Sequence, residues 1–369
     1  MLYSDKKCFT SIDHYLGSPF IGLRMYVATP LITHCFQEED QTYCSADFNN
    51  FDRIDTFDSD IWNNKECFTR DELATMTNDH VTNDNDNMNL YYVDEGKSDY
   101  ELYERKWLET IFQRKIVCKP IPMNGDFPVA NSWFLVQRPH LAAFNGYFTI
   151  LDKKGIPFKV LHLSDEFEAD DLAFYSFACC KAVIRNYLTP RISDVAHIRT
   201  IPLGYHYRSI KDFKNFTDRK FVWSFHGTGW FDRQNKLQAL ADFVPYSCHL
   251  TSSWNHSSMT KEEQYINILG DSKFCPILRG NNIETFRLYE CLEAGTIPLY
   301  VRQEGDGAYW HWISSKLGDL KELNTWDEAK EFIDFLLKNP DKAENYRAKI
   351  YANWSMWKQI IQSDVAKFI

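Results

Sequence analysis

The sequence predicts an α/β protein of two lobes, each built on a mostly parallel sheet, with a helical segment at the C-terminus. Three observations lead there. The chain has 369 residues, more than one ordinary core holds and enough for two domains. From about Ser132 onward, short apolar runs alternate with helical patterns, the sign of βαβ units. That alternation is broken once, by the polar link "RSIKDFKNFTDRK" from Arg208 to Lys220, and then resumes.

Taken in order, the first lobe reads "SWFLV", a helix over Pro139 to Lys153, "PFKVLHL", a helix over Asp170 to Phe177, "KAVIRNY" and "IRTIPLG". The second reads "FVWSFHG", a helix from Asp232, "YSCHL", a helix from Lys261, "SKFCPIL", a helix over Ile283 to Ala294, and "TIPLYV". From Trp326 the pattern is helical to the end, interrupted only at Asn339–Pro340. Before Ser132 the chain is harder to place. Residues 37–95 are crowded with Asp and Asn, which favour turns and caps over regular structure. The expected organisation is a first domain over 1–210 containing that irregular stretch, a second over 211–340, and a C-terminal helix over 341–369 packing back on the first.

Composition excludes several functions. With 41 Lys+Arg against 51 Asp+Glu and no long basic run, the electrostatic footprint of a nucleic-acid binder is missing. The most apolar early segment, Phe20 to Ile32, is interrupted by Arg24 and Pro30 and falls short of the roughly 20 residues that span a bilayer. No signal-peptide pattern precedes it. The expectation is a soluble, cytoplasmic chain with no membrane segment; a chain freed of an anchor reads the same, which leaves the Golgi lumen open. Ten cysteines without CxxC spacing read as mostly reduced thiols.

Chemistry concentrates in the second lobe. In "FCPILRGNNIETFRLYECLEAGTIPLYV" a strand ends at Arg279–Gly280, a turn follows, and a helix closes at Gly295 before the next strand. In an open parallel sheet, ligands bind beyond the carboxyl ends of the strands, where a helix N-terminus offers N–H groups to an anion. Gly280 permits close backbone approach, and the Arg279 guanidinium suits phosphate oxygens. Glu290, one turn beyond Arg287, could hold the vicinal hydroxyls of a ribose; an ordinary i,i+3 surface pair of Arg287 and Glu290 gives the same spacing. The turn "HGTGWFDR" places Gly227, Thr228 and Arg233 at another strand-to-helix junction suited to a diphosphate. A plain glycine turn reads identically, because the full GxGxxG fingerprint is absent.

These residues carry a resemblance. The run from Phe274 to Val301 resembles the donor-site signature of exostosin-like glycosyltransferases: an apolar strand, Arg-Gly, an acidic residue or Ser/Thr before Phe-Arg, a helix glutamate, and Gly-x-x-Pro. "SFHGTGWFDRQNKL" is similar to the family's strand and glycine turn, and "RTIPLGYHY" to the segment closing its first domain. The likeness covers Leu161 to the C-terminus. It implies two Rossmann-like domains facing across a cleft (the GT-B arrangement), a nucleotide sugar held mainly by the second domain, inversion at the anomeric carbon, and no metal or other cofactor. Carried over by position, Arg279, Glu284, Thr285, Arg287 and Glu290 would line the donor site. The segment "NNIET" lacks the family's bulkier residues, so the base and sugar read there stay open; the xylosyltransferase-like branch is the nearest comparison.

Inversion by direct displacement needs a base for the attacking hydroxyl. Asp165 and Glu166 follow a predicted strand directly, at its carboxyl end, although Ser-Asp-Glu also reads as a helix cap. His162, inside an apolar strand, reads as a satisfied core histidine. Arg185, at another strand end, could reach donor phosphates or form a structural ion pair. Asp84-x-Asp86 has a metal-binding spacing but lies in the Asn-rich stretch and lacks the Gly and Glu of a calcium loop. "YWHWISS", from Tyr309, either stacks on a ligand or seals the C-terminal helix. With that resemblance, the expectation is an inverting glycosyltransferase using a nucleotide diphosphate sugar, UDP-linked, with UDP-xylose as the candidate, on a glycan hydroxyl. The alternative is a non-catalytic two-lobed nucleotide-sugar or glycan binding protein.

Overall fold

The computed structural model describes residues 87–93, 102–121, 128, 130–137, 140–163, 165–192, 195–208, 214–252 and 260–368, all within one compact unit, Asp79–Ile369. Asp84, Asp86 and the rest of the Asp/Asn-rich stretch before Asn87 lie outside the described residues.

The first sheet has six strands: β1 (Asn87–Tyr92), β2 (Lys115–Pro120), β3 (Ser132–Gln137), β4 (Phe158–Leu163), β5 (Cys180–Arg185) and β6 (Ile198–Thr200). Their order is β2-β1-β3-β4-β5-β6, every pair parallel. Helix α1 (Arg105–Phe112) connects β1 to β2, and α2 (Leu141–Lys153) connects β3 to β4. One sequence expectation is corrected here. The stretch 37–95 was read as irregular throughout, yet its end, "NMNLYY", is a strand at the heart of this sheet, with Met88 and Leu90 buried and Asn87 and Asn89 exposed. The period-2 alternation is present but only six residues long, and the asparagines between the apolar residues hid it. The helix read over Asp170 to Phe177 is a single short 3₁₀ turn, Ala173–Ser176.

The second sheet has four parallel strands, β7 (Phe221–Thr228), β8 (Tyr246–Thr251), β9 (Ser272–Pro276) and β10 (Ile297–Leu299), in the order β10-β9-β7-β8. Its helices are α3 (Arg233–Gln238), α4 (Glu262–Gly270), α5 (Phe286–Glu293) and α6 (Gly307–Leu317). Helix α5 starts later than Ile283 because Asn282 Oδ1 accepts the Glu284 N–H (2.8 Å), holding the chain in a turn, and Thr285 is extended as N-cap. Gly295 closes it with φ +59°. The mixed α/β architecture is thus two all-parallel sheets with helices.

Two further helices, α7 (Trp326–Lys338) and α8 (Pro340–Ala366), finish the chain, with Pro340 in the first turn of α8 where its missing N–H costs nothing. Trp354 of α8 stacks on Trp107 of α1 with ring centres 5.5 Å apart, and its indole N–H donates to Glu293 Oε1 of α5 (2.6 Å). Lys358 donates to the same carboxylate, which Lys358 and Arg208 hold below the usual range against the upward push of burial. The C-terminal helix therefore joins elements of both sheets; Gln362 also reaches the Thr110 carbonyl (3.0 Å) and Lys159 the Phe368 carbonyl (2.7 Å). Trp312 meets Trp357 edge-on at 5.3 Å, so the "YWHWISS" helix helps seal α8. Gly204, with φ +71°, is required by this packing: a Cβ there would sit 2.2 Å from Trp107 Cγ. Among the described residues no helix is long and apolar enough to cross a membrane.

Candidate functional site

The strand orders locate the site. In the first sheet the chain leaves β1 for β2 on one side and returns to β3 on the other; in the second it leaves β7 for β8 and returns to β9. Each is a topological switch point, where the loops beyond the carboxyl ends of neighbouring strands diverge and open a crevice. The loops at these ends meet. Glu166, following β4, accepts from Asn281 Nδ2 at its Oε2 (2.8 Å), and its backbone carbonyl accepts from Asn282 Nδ2 (2.8 Å). Leu203, following β6, donates its N–H to Glu284 Oε1 (2.7 Å).

On the second-lobe side, Arg279 follows β9 at the switch point. It is half-buried, and among the described residues its guanidinium makes no ion pair; its charge is felt at the Tyr300 hydroxyl. Arg233 bridges the two turns: Nη1 donates to the Thr228 carbonyl (2.8 Å) and Nη2 to the Arg279 carbonyl (2.6 Å), which fixes the β7 and β9 turns relative to each other. Gly280 faces this strap, its position for a Cβ lying 3.7 Å from Arg233 Nη2. Gly227 is a close approach as well, since a Cβ there would meet Arg287 Nη2 at 2.8 Å. Thr285, N-cap of α5, makes no side-chain cap bond, and its buried Oγ1 has no partner.

Arg287 and Glu290 are not a surface pair. The Arg287 guanidinium lies 4.2 Å from the centre of the Phe225 ring, donates to the His226 carbonyl and reaches the Tyr265 hydroxyl (3.2 Å). Burial pulls its pKa down, but Tyr265, Cys275 and Glu290 outweigh that and hold it above the ordinary arginine range. Glu290 accepts from the Tyr207 N–H at Oε1 (3.1 Å) and from the Tyr265 hydroxyl at Oε2 (2.7 Å). Both side chains thus organise the junction of α4, α5 and β7, and a ribose diol would have to use the lone pairs that remain on Glu290.

On the first-lobe side the two candidate bases part company. Asp165 is 1% exposed. Its Oδ1 accepts from the N–H groups of Ala169 (3.0 Å) and Asp170 (3.1 Å), and its Oδ2 pairs with Arg185 at 2.8 Å. It anchors its own loop, with Arg185 as its buried ion-pair partner. Glu166, half-buried, is the one of the pair at the lobe junction. His162 is a satisfied core histidine, bound to the Tyr175 hydroxyl (2.6 Å) and Asp170 Oδ2 (2.9 Å); burial lowers its pKa.

Sequence reasoning missed one group. Glu104 precedes α1, in the connection that leaves the first switch point, and is 6% exposed, with no partner for its Oε2 among the described residues. Glu284 is similar, 3% exposed with an unpartnered Oε2, while its Oε1 accepts from Leu203 and from the Tyr289 hydroxyl (2.5 Å). Burial pushes both carboxyls up to about 7. Both act on the Tyr187 hydroxyl, which donates to Glu166 Oε1 (3.4 Å) and which burial, then Glu166, Glu104 and Glu284, drives well above its ordinary value. No motif marks Glu104, because its surroundings come from residues 62 and 83 positions away or more, and only the preceding "DYEL" acidity hints at it.

Among the described residues no three His, Cys, Asp or Glu side chains gather to hold a metal ion. A surface concavity runs along α4, lined by Lys261, Gln264 and Asn267 with Lys220, Ser247 and Asp271. No protein-family model matches the chain, and comparison with curated proteins gives no significant match.

Proposed function

We propose that the protein is an inverting glycosyltransferase of GT-B type, which moves a sugar from a nucleotide diphosphate sugar, UDP-linked and of the UDP-xylose kind, to a hydroxyl of a glycan acceptor. One observation carries this reading. Arg279, a cation without an ion pair among the described residues, stands at the second switch point; Glu284 in the same connection and Glu104 of the first sheet each carry a buried carboxyl oxygen with no partner among the described residues. Displacement of an anionic leaving group by a hydroxyl needs those two things on opposite sides of one carbon: positive charge where the diphosphate departs and a proton acceptor where the nucleophile enters.

The roles divide accordingly. Arg279 and the uncapped first turn of α5, with Thr285 Oγ1, receive the diphosphate. Gly280 and the Gly227–Thr228 turn let it approach the backbone, with Arg233 holding the two turns in place. Arg287 and Glu290 brace that surface from beneath, and Glu284 offers its unpartnered oxygen to the sugar. Glu166 faces the acceptor at the lobe junction. Charge on the leaving group is met by arginine and N–H groups, so the reading requires no metal.

The test is UDP release from a panel of UDP-sugars, with and without glycoside acceptors, followed by the anomeric configuration of the product. Turnover with inversion supports the proposal. Tight donor binding with the donor left intact identifies a two-lobed binding protein instead.

A further inference from the structure

We infer that Glu104 is the proton acceptor for the attacking hydroxyl, a catalytic role that rests on the glycosyltransferase reading. Position is the first ground. Glu104 sits in the connection that leaves β1 at the switch point, immediately before α1, at the end of the sheet where parallel sheets bind ligands.

Availability is the second. Asp165 has its oxygens committed to Arg185 and two backbone N–H groups, and Glu166 has one oxygen bound by Asn281 and the other by Tyr187. Glu104 Oε2 is buried with no partner among the described residues. A buried carboxylate oxygen left unsatisfied costs folding free energy and leaves a lone pair open to a hydroxyl proton. Glu284 Oε2, equally unsatisfied, belongs to the second lobe and acts on the same Tyr187 hydroxyl. Two lone oxygens from opposite lobes around one phenol describe a polar site built for hydroxyl groups.

Proton affinity is the third. A base works best when its pKa lies near the working pH, and burial raises Glu104 to about 7, with Glu166 adding to the shift. The titratable groups facing it are Glu166 from the loop after β4 and Tyr187 after β5, with Glu284 acting on Tyr187 from the second lobe. The step balances simply. The acceptor O–H proton passes to Glu104 Oε2 while the oxygen bonds to the anomeric carbon. The bond from that carbon to the diphosphate oxygen breaks, and its electron pair leaves with the nucleoside diphosphate. The proton on Glu104 is afterwards released to solvent.

The experiment compares the full chain with Glu104→Gln and Glu104→Asp, using the UDP-sugar and glycoside that the panel identifies. Glu104→Gln should lower transfer about 100- to 10,000-fold while UDP binds as in the wild type by calorimetry. The acid limb of the wild-type pH–rate profile, centred near 7, should vanish with it, and Glu104→Asp should recover part of the rate with the limb retained. Near-normal transfer by Glu104→Gln, or a retained acid limb, would overturn the role while leaving the glycosyltransferase reading in place. Loss of UDP binding in that variant would mark Glu104 as structural and equally overturn it. If the wild type releases UDP from no donor, the reading and this inference fall together.

Discussion

Glu166 Oε2 and Asn281 Nδ2 lie 2.8 Å apart, joining the loop beyond β4 of the first sheet to the loop beyond β9 of the second. With the Asn282 amide on the Glu166 carbonyl, this contact makes the two sets of strand ends one surface. Because Asn281 is exposed, the pair should contribute modestly, about 0.5–1.5 kcal/mol. A double-mutant cycle with Glu166→Gln and Asn281→Ala in denaturant unfolding measures it; a coupling indistinguishable from zero would show that the loops touch without holding each other.

Arg279→Ala should leave the melting temperature near wild type, because the guanidinium has no ion pair among the described residues to lose. Turnover should fall about 100- to 1,000-fold, the size seen when one positioned donor to a developing charge is removed. Steady-state kinetics beside a thermal melt separates the two, and a large stability loss with normal turnover would make Arg279 a structural residue.

Stability should fall as pH rises between about 4.5 and 7. The folded chain raises Glu104 and Glu284 from 4.5 to about 7 by burial. It therefore binds protons that the unfolded chain has already released: the stabilisation is complete below the unfolded value and is lost as pH rises through the folded one. Each group contributes up to about 3 kcal/mol. Glu104→Gln and Glu284→Gln, neutral at every pH, should each flatten the melting-temperature curve across that window. Unchanged slopes in both variants would mean that the buried carboxyls titrate normally.

Gly204→Ala should destabilise by about 2–4 kcal/mol. The new Cβ would lie 2.2 Å from the Trp107 ring at a residue with φ +71°, so the indole must leave its stack on Trp354 or the backbone must shift. Chemical denaturation measures this directly. A cost under about 0.5 kcal/mol would show that the ring moves aside freely.

Glu290→Gln should reduce stability by about 1–3 kcal/mol, since it weakens charge-assisted bonds from the Tyr207 N–H and the Tyr265 hydroxyl. UDP affinity, measured in the same variant at a temperature where it is fully folded, should also drop if the remaining lone pairs hold the ribose. Stability loss with unchanged UDP affinity assigns Glu290 to bracing alone.

Much of this protein is written locally. The alternation of apolar runs and helical patterns from Ser132 onward needs only neighbouring residues, and the structure has β3 to β10 where those runs occur. Gly295 and the Asn339–Pro340 break mark helix ends for the same reason, because backbone freedom and a missing N–H act on the residue that carries them. The carboxyl ends of the strands, and with them the neighbourhood of Arg279, Gly227 and Glu166, were legible too. What side chains do there was not. Asp165 and Glu166 are adjacent in sequence, yet one is buried against Arg185 and the other meets Asn281, a separation made by residues 20 and 115 positions away. Glu290 read equally as a ribose ligand or as half of a surface pair until Tyr207 and Tyr265 closed over it, and Glu104 looked like nothing until the fold carried Glu166 and Tyr187 to it. A carboxylate's proton affinity and its free lone pairs depend on what water it has lost and which donors have replaced it, and those are supplied by distant segments that only the tertiary structure brings together.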